Sequence, residues 1–171
     1  MTKIRANGVE LEYDEIGPRD GIPFLMISGF GSQMTSWPDE YRKTLANAGL
    51  RFIRFDNRDV GLSQKWDGII PDIRSVIADA RAGKKPNIPY TLDDMAADAV
   101  GLLDALGIDS AHISGASMGG MIAQLVALNH PAKTRALISI FSTTGDPSLP
   151  PATPEAMAAL TAAPASQDRE T

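Results

Sequence analysis

Apolar residues along the chain occur in short runs whose spacing alternates between that of β-strands and that of α-helices. Residues 3–16 predict two short strands joined by an Asn-Gly dipeptide, which is typical of a tight hairpin turn. The continuous apolar runs at 22–27 and 135–141 predict buried strands, and residues 50–55 predict a further strand. These five predicted strands are therefore spread over most of the chain.

Between these strands, apolar positions recur every three or four residues, as in helices that pack on a sheet. Ser36 and Thr91 fit the N-cap positions of two such helices, and the second helix extends to Gly107. Residues 64–90 have no clear period, and we predict an excursion there with one short helix near 72–81.

The alternation of strands and helices predicts an α/β fold with a mostly parallel sheet and helices on both of its faces. Ligands of such sheets bind at the carboxyl ends of the strands. The loops that follow Ile27, Phe55 and Gly115 would meet at that edge. We therefore expect the functional residues to lie in these three loops.

A Gly-x-Ser-x-Gly pentapeptide, residues 115–119, lies where a predicted strand meets a predicted helix. A serine hydroxyl can point out of so sharp a turn only if the flanking residues carry almost no side chain, and Gly115 and Gly119 meet that condition. The start of the helix adds free N–H groups and a positive dipole end, which suit a developing oxyanion. These features predict that Ser117 is a catalytic nucleophile, and the alternative is a glycine-rich structural turn with an incidental serine.

The bulk composition narrows the class of protein. The 171 residues fit a single domain, and a net charge of −5 without any basic cluster argues against a nucleic-acid surface. The absence of cysteine and the presence of only two histidines argue against a disulfide framework and a metal site. No apolar leader and no apolar run of about 20 residues is present. We expect a soluble cytoplasmic protein that needs no metal or cofactor and binds neither nucleic acid nor membrane.

Three segments, taken in their order and spacing, resemble the α/β-hydrolase superfamily and, within it, small-molecule esterases of the aclacinomycin methylesterase type. They are residues 37–41, residues 53–63 and residues 115–120. In the second segment we expect Asp56 and Arg58 to pair and to hold the loop after their strand. The resemblance implies an α/β-hydrolase fold and a Ser-His-Asp serine hydrolase that cleaves small carboxylic esters.

The resemblance also implies a role for each residue around the pentapeptide. Ser117 would be the nucleophile, and Gly115 and Gly119 would shape the sharp turn that presents it. The backbone N–H of Met118 would be one oxyanion-hole donor, and that of Phe30 would be the second. The family commonly has a histidine two residues before this second donor, where the present sequence has a serine.

The catalytic acid and histidine that the family places after the nucleophile are not evident in this sequence. His112 leads into the strand before Ser117, and His130 is at the far end of the following helix, so neither is expected to reach the serine. Asp146 follows the strand at 135–141, where some relatives carry the acid, but it fits a turn residue better.

We therefore expect the chain to be the N-terminal portion of an α/β hydrolase. Residues 1–146 would form the N-terminal part of the core, and residues 147–171 would begin the cap. The strand at 135–141 would be a bare apolar sheet edge if nothing followed it. The expected partner is a C-terminal fragment of the same hydrolase, without which the chain would be inactive. The alternatives are another chemistry on the same fold, such as that of a perhydrolase, lactonase, lyase or C–C hydrolase, or a truncated binding module.

Overall fold

A computed structural model describes residues 2–146 and 148–162 of the chain. Its six strands form one sheet in the order β1-β2-β4-β3-β5-β6. β2 is antiparallel to both β1 and β4, whereas β3 runs parallel to β4 and β5, and β5 runs parallel to β6. The strands are β1 (Thr2–Ala6), β2 (Val9–Ile16), β3 (Ile22–Ile27), β4 (Leu50–Phe55), β5 (Ala111–Ala116) and β6 (Thr134–Ile140).

The described residues form five α-helices, which include the short helix expected within residues 64–90. They are α1 (Asp39–Asn47), α2 (Ile73–Arg81), α3 (Leu92–Ala105), α4 (Met118–Asn129) and α5 (Pro154–Thr161), with two short 3₁₀ turns at Met34–Ser36 and Pro131–Lys133. Thr91 caps α3 as predicted, because its side chain accepts the N–H of Asp94 and the Asp94 carboxylate accepts the N–H of Thr91.

The N-cap predicted at Ser36 is wrong. Ser36 ends a 3₁₀ turn, and α1 begins only at Asp39, with Pro38 at the N-cap position. The cause is local, because a residue that precedes proline is restricted to extended conformations. Trp37 accordingly has φ −81° and ψ 122°, so the helix cannot begin before the proline.

Helices cover both faces of the sheet, as the sequence predicts. Side chains of β3 alternate between two apolar layers, so that Phe24 and Met26 lie on the α1 side while Leu25 and Ile27 lie on the α3 and α4 side. These layers bury β3, β4 and β5 where they approach the pentapeptide loop. The core therefore fixes the carboxyl ends of β3, β4 and β5 relative to one another.

β6 differs from the buried strand that the sequence predicts. It pairs only with β5 among the described residues and lies at the edge of the sheet, where Leu137 is 41% exposed and Ile138 is 40% exposed. An apolar run therefore does not by itself distinguish a central strand from an edge strand. Among the described residues, no helix is both long enough and apolar enough to span a bilayer.

Candidate active site

Ser117 occupies the turn between β5 and α4 with φ 55° and ψ −123°. A positive φ is uncommon for a residue with a side chain and indicates stored strain. Surrounding hydrogen bonds hold this conformation, because the Ser117 N–H donates to the carbonyl of Ile140 at 3.0 Å and the Ser142 hydroxyl donates to the Ser117 carbonyl at 2.7 Å. The Ser117 side chain is left exposed at the carboxyl edge of the sheet.

The two flanking glycines are required by close backbone approach. A Cβ at Gly115 would collide with the carbonyl of Gly119, and a Cβ at Gly119 would collide with the carbonyl of Ile27. A Cβ at Gly29 would lie 3.2 Å from the Cβ of Ser117, which places the loop after β3 directly against the serine. The structure thus provides the turn that the sequence predicts for Gly115 and Gly119.

Phe30 and Met118 both lie close to Ser117. Met118 is the first residue of α4, so its N–H has no carbonyl partner within that helix. The N–H of Phe30 meets no hydrogen-bond acceptor within residues 2–146 and 148–162. Phe30, Ser117 and Met118 together line a pocket of about 540 Å³, which also includes Met121 and Phe141. The three residues that the sequence singled out are therefore adjacent.

The loop that carries Phe30 is held by side chains from the loop after β4. The Asn57 amide donates to the carbonyl of Ser28 at 3.0 Å, and the Asp56 carboxylate accepts the N–H of Met34 at 2.8 Å. The second oxygen of Asp56 accepts the N–H of Leu62 at 3.0 Å. Sequence reasoning missed Asn57, because an asparagine in a loop gives no signal of a buried partner on another strand.

The expected pairing of Asp56 with Arg58 is wrong, because backbone N–H groups occupy both Asp56 oxygens. Arg58 instead forms a bidentate pair with Asp98, with both N–O distances at 2.6 Å. The guanidinium lies 5.0 Å from the ring centres of both Trp66 and Tyr90. Asp98 could have been noticed in the sequence, since it lies on the apolar stripe of α3 and a charge there needs a buried partner.

Both histidines of the chain lie far from Ser117. His112 precedes it by five residues along β5, which corresponds to about 16 Å at 3.3 Å per strand residue. His130 directly follows the last residue of α4, about 20 Å away at 1.5 Å per helical residue. Asp146 is exposed and accepts the N–H of Ser148 at 2.8 Å, and this hydrogen bond lowers the pKa of the Asp146 carboxyl. The geometry of Asp146 is that of a turn residue.

No group of three or more His, Cys, Asp or Glu residues within the described part of the chain is arranged to hold a metal ion. The chemically distinctive features of the site are thus an exposed serine in a strained turn, two nearby backbone donors and apolar walls. These features suit the attack of a hydroxyl on a carbonyl group.

Residues 22–167 match the sequence model of the alpha/beta hydrolase fold family. The chain therefore belongs to the α/β-hydrolase family, in agreement with its strand order and with the pentapeptide turn. The fold class predicted from the sequence is confirmed, and so is the resemblance on which that prediction rested.

Three similar proteins show how diverse these relatives are. Rhodomycin D methylesterase DauP from Streptomyces sp. strain C5 is 35% identical over 130 residues, which are 76% of this chain and 38% of that protein. The crystal structure of the enol-lactonase from Burkholderia xenovorans LB400 is 25% identical, with a TM-score of 0.60 over 78% of this chain and 44% of that one. Epoxide hydrolase VrEH1 from Vigna radiata is 23% identical, with a TM-score of 0.66 over 94% of this chain and 45% of that one, which shows a shared fold. The chain thus spans about two fifths of the length of the curated relative it matches.

Proposed function

We propose that this chain supplies the nucleophile of a serine hydrolase that cleaves small carboxylic esters. The observation that carries the proposal is the conformation of Ser117, an exposed serine held at φ 55° between β5 and the first turn of α4. Strain of this kind persists only where the surrounding structure enforces it, and it is concentrated at functional sites. The similarity to a methylesterase supports esters as the substrate class.

In the proposed reaction, the Ser117 Oγ attacks the carbonyl carbon of the ester and forms a tetrahedral intermediate. The carbonyl electron pair moves onto the oxygen, and the N–H groups of Phe30 and Met118 stabilise that oxyanion. A general base takes the serine proton and passes it to the departing alcohol. Water then attacks the acyl-serine, the carboxylic acid leaves, and the serine hydroxyl is restored.

The general base of this proposal comes from outside the described residues, because His112 and His130 are too far from Ser117. We assign it, with its acid partner, to a C-terminal portion of the hydrolase or to a second chain that carries that portion. The free edge of β6, with Leu137 and Ile138 half exposed, supports this assignment, because a further strand there would cover them. Without its histidine, a comparable triad enzyme loses turnover by a factor on the order of 10⁶.

A serine-directed fluorophosphonate tests the proposal on the intact protein, by which we mean the chain together with the portion that completes it. We expect a single adduct that peptide mapping places on Ser117 and that Ser117→Ala abolishes. Ser36→Ala is the matched control, because Ser36 lines the adjoining pocket and its loss should leave labelling unchanged. A Ser117 that stays unlabelled in the intact protein would contradict the proposal.

A substrate panel tests the ester class separately. Methyl esters of small acids should be cleaved, whereas simple epoxides should not. Lactones belong in the same panel because a lactone is a cyclic ester and the fold is similar to that of an enol-lactonase. Turnover of epoxides in preference to esters would contradict the proposed substrate class while leaving Ser117 as the reactive residue.

A further inference from the structure

The ammonium group of Lys65 lies against the backbone of the loop that follows β4. Its Nζ donates to the carbonyls of Val60, Gly61 and Ser63 at 2.9, 2.7 and 2.5 Å. An ammonium has three N–H donors and no acceptor, so these carbonyls use its full hydrogen-bonding capacity. Three other lysines pair with carboxylates, whereas Lys65 forms no ion pair within residues 2–146 and 148–162. Its charge therefore acts on the backbone of the loop.

The same loop encloses the carboxylate of Asp56 on its inner side. The N–H of Leu62 donates to one Asp56 oxygen at 3.0 Å, and a Cβ at Gly61 would collide with that oxygen. The Ser63 hydroxyl donates to the backbone carbonyl of Asp56 at 2.6 Å. Asp56 is buried and Lys65 is exposed, so the loop lies between an inner carboxylate and an outer ammonium.

Asp56 and Lys65 bind opposite ends of one peptide group. The peptide between Gly61 and Leu62 is trans, so its N–H and its carbonyl point in opposite directions. The Leu62 N–H is directed at the Asp56 carboxylate, and the Gly61 carbonyl is therefore directed away from it, toward the Lys65 ammonium. The anion at the donor end and the cation at the acceptor end both stabilise this one orientation of the peptide.

This peptide is linked through Asp56 to the loop that carries Phe30. The second Asp56 oxygen accepts the N–H of Met34 at 2.8 Å, and Met34 lies four residues after Phe30. Asp56 and Met34 are both buried, so their hydrogen bond is shielded from water. A continuous series of contacts thus connects the exposed Lys65 with the segment that presents the Phe30 N–H.

The charge of Lys65 matters because three carbonyl oxygens converge on one point. Each oxygen carries partial negative charge, so the three repel one another unless a cation lies between them. Water could replace the hydrogen bonds of Lys65 but not its charge. Hydrogen bonds from a charged donor are also roughly twice as strong as those between neutral groups. Loss of the ammonium should therefore loosen the loop around Asp56.

We propose that Lys65 is a positioning residue whose ammonium acts as a tethered cation. It fixes the peptide between Gly61 and Leu62 against Asp56 and thereby keeps the Phe30 N–H in place for the oxyanion. The inference rests on the proposed function, because the Phe30 N–H is an oxyanion donor only if Ser117 is the nucleophile.

Amide hydrogen exchange tests the hold of Lys65 on the loop without any reaction at Ser117. Lys65→Met removes the ammonium but keeps an unbranched side chain. In the intact protein, we expect the N–H groups of Leu62 and Met34 to exchange about tenfold faster than in the wild type, while that of Ile53 within β4 stays unchanged. Unchanged exchange at Leu62, or faster exchange at Leu62 alone, would overturn the proposal.

Fluorophosphonate labelling tests the effect of Lys65 on reactivity. Lys65→Met should slow phosphonylation of Ser117 about tenfold, because a displaced Phe30 N–H stabilises the developing oxyanion less well. Lys43→Met is the matched control, because Lys43 carries the same charge on α1, where it lies 3.9 Å from Glu40, and its loss should leave the rate unchanged. An unchanged rate in Lys65→Met, or an equal loss in the two variants, would overturn the positioning role.

Chemical rescue separates loss of the cation from a general loss of structure. Lys65→Ala leaves space for a small ion beside the three carbonyls. Methylammonium has a positive charge and three N–H donors, and it should restore most of the lost labelling rate. Tetramethylammonium at the same concentration carries the same charge without donors and should not. Equal effects of the two salts, or no rescue by methylammonium, would overturn the role of a tethered cation.

The same measurements separate this inference from the proposed function. Faster exchange in Lys65→Met, together with a Ser117 that stays unlabelled in the wild type, would overturn the nucleophile but support the hold of Lys65 on the loop. A labelled Ser117 with unchanged exchange in Lys65→Met would do the reverse.

Discussion

Asn57 donates its side-chain amide to the carbonyl oxygen of Ser28 at 3.0 Å, and both residues are buried. This bond ties the loop after β4 to the loop after β3, two residues before Phe30. Asp56 holds the other end of the same segment through the N–H of Met34. The position of the Phe30 N–H thus depends on two side chains from the loop that follows the neighbouring strand β4.

Replacing Asn57 should therefore affect both stability and reactivity. Asn57→Ala leaves the buried Ser28 carbonyl without this donor, which we expect to cost about 1–3 kcal/mol of unfolding free energy. Displacement of the loop should also slow phosphonylation of Ser117 by about 10- to 100-fold. Urea unfolding and labelling rates measure the two effects. Asn47→Ala, at the exposed end of α1, should change neither, and an unchanged labelling rate in Asn57→Ala would contradict the positioning role.

The strained turn predicts a variant that is more stable than the wild type, whereas the loss of Asn57 lowers stability. Because Ser117 has φ 55°, glycine should suit the position better, and Ser117→Gly should raise the free energy of unfolding by about 1 kcal/mol. Ser117→Ala keeps a Cβ at the same φ and should leave stability nearly unchanged. Both variants should lose labelling. Equal stability of the two variants in urea unfolding would show that the turn stores no such strain.

The buried pair of Arg58 and Asp98 should be costly to break. Asp98→Asn leaves the guanidinium without its carboxylate partner, and we expect a loss of about 3–5 kcal/mol. The matched control on the same helix is Asp104→Asn, because Asp104 pairs with Lys133 at the surface and its loss should cost within about 1 kcal/mol. Chemical denaturation measures the free energy of unfolding of the two variants. Similar losses in both would show that the buried pair is no more costly to break than the surface pair.

Asp14 should contribute to acid unfolding. Burial alone would raise the pKa of Asp14, but hydrogen bonds and charges from Arg54 and Arg42 outweigh burial and hold it below the ordinary 3.8. A lowered native pKa means that this contribution to stability is present above the unfolded-state value and is lost as the pH falls through the native value.

The corresponding test is the pH dependence of unfolding between about pH 5 and about pH 2. Asp14→Asn should destabilise the protein at neutral pH and show a smaller further loss in acid than the wild type. Asp39→Asn, an exposed partner of Arg42, should keep the wild-type pH dependence. If Asp14→Asn and the wild type lose stability identically as the pH falls, Asp14 does not contribute to acid unfolding.

Much of the fold could be predicted from the sequence because local signals were strong. The Asn-Gly hairpin, the Thr91 cap and the glycines around Ser117 each impose a backbone conformation that requires few distant residues. The edge position of β6 was not predictable in this way. Whether β6 is a central strand or an edge strand depends on what lies beside it. Its apolar sequence would be the same in both positions.

The side-chain partners in the candidate site were harder to predict for a related reason. Asp56, Asn57 and Arg58 are consecutive in the sequence, yet their partners lie on Met34, Ser28 and Asp98. Each of these contacts depends on how two strands and a helix are packed together, so sequence spacing gives no direct measure of it.

The central claim is that Ser117 is a nucleophile whose proton acceptor comes from outside this chain. The most direct test compares fluorophosphonate labelling of residues 1–171 alone with labelling of the intact protein, with intact mass and peptide mapping as the readout. The account predicts rapid labelling at Ser117 in the intact protein and little in residues 1–171 alone. Equally rapid labelling of both, or none at Ser117 in the intact protein, would contradict it.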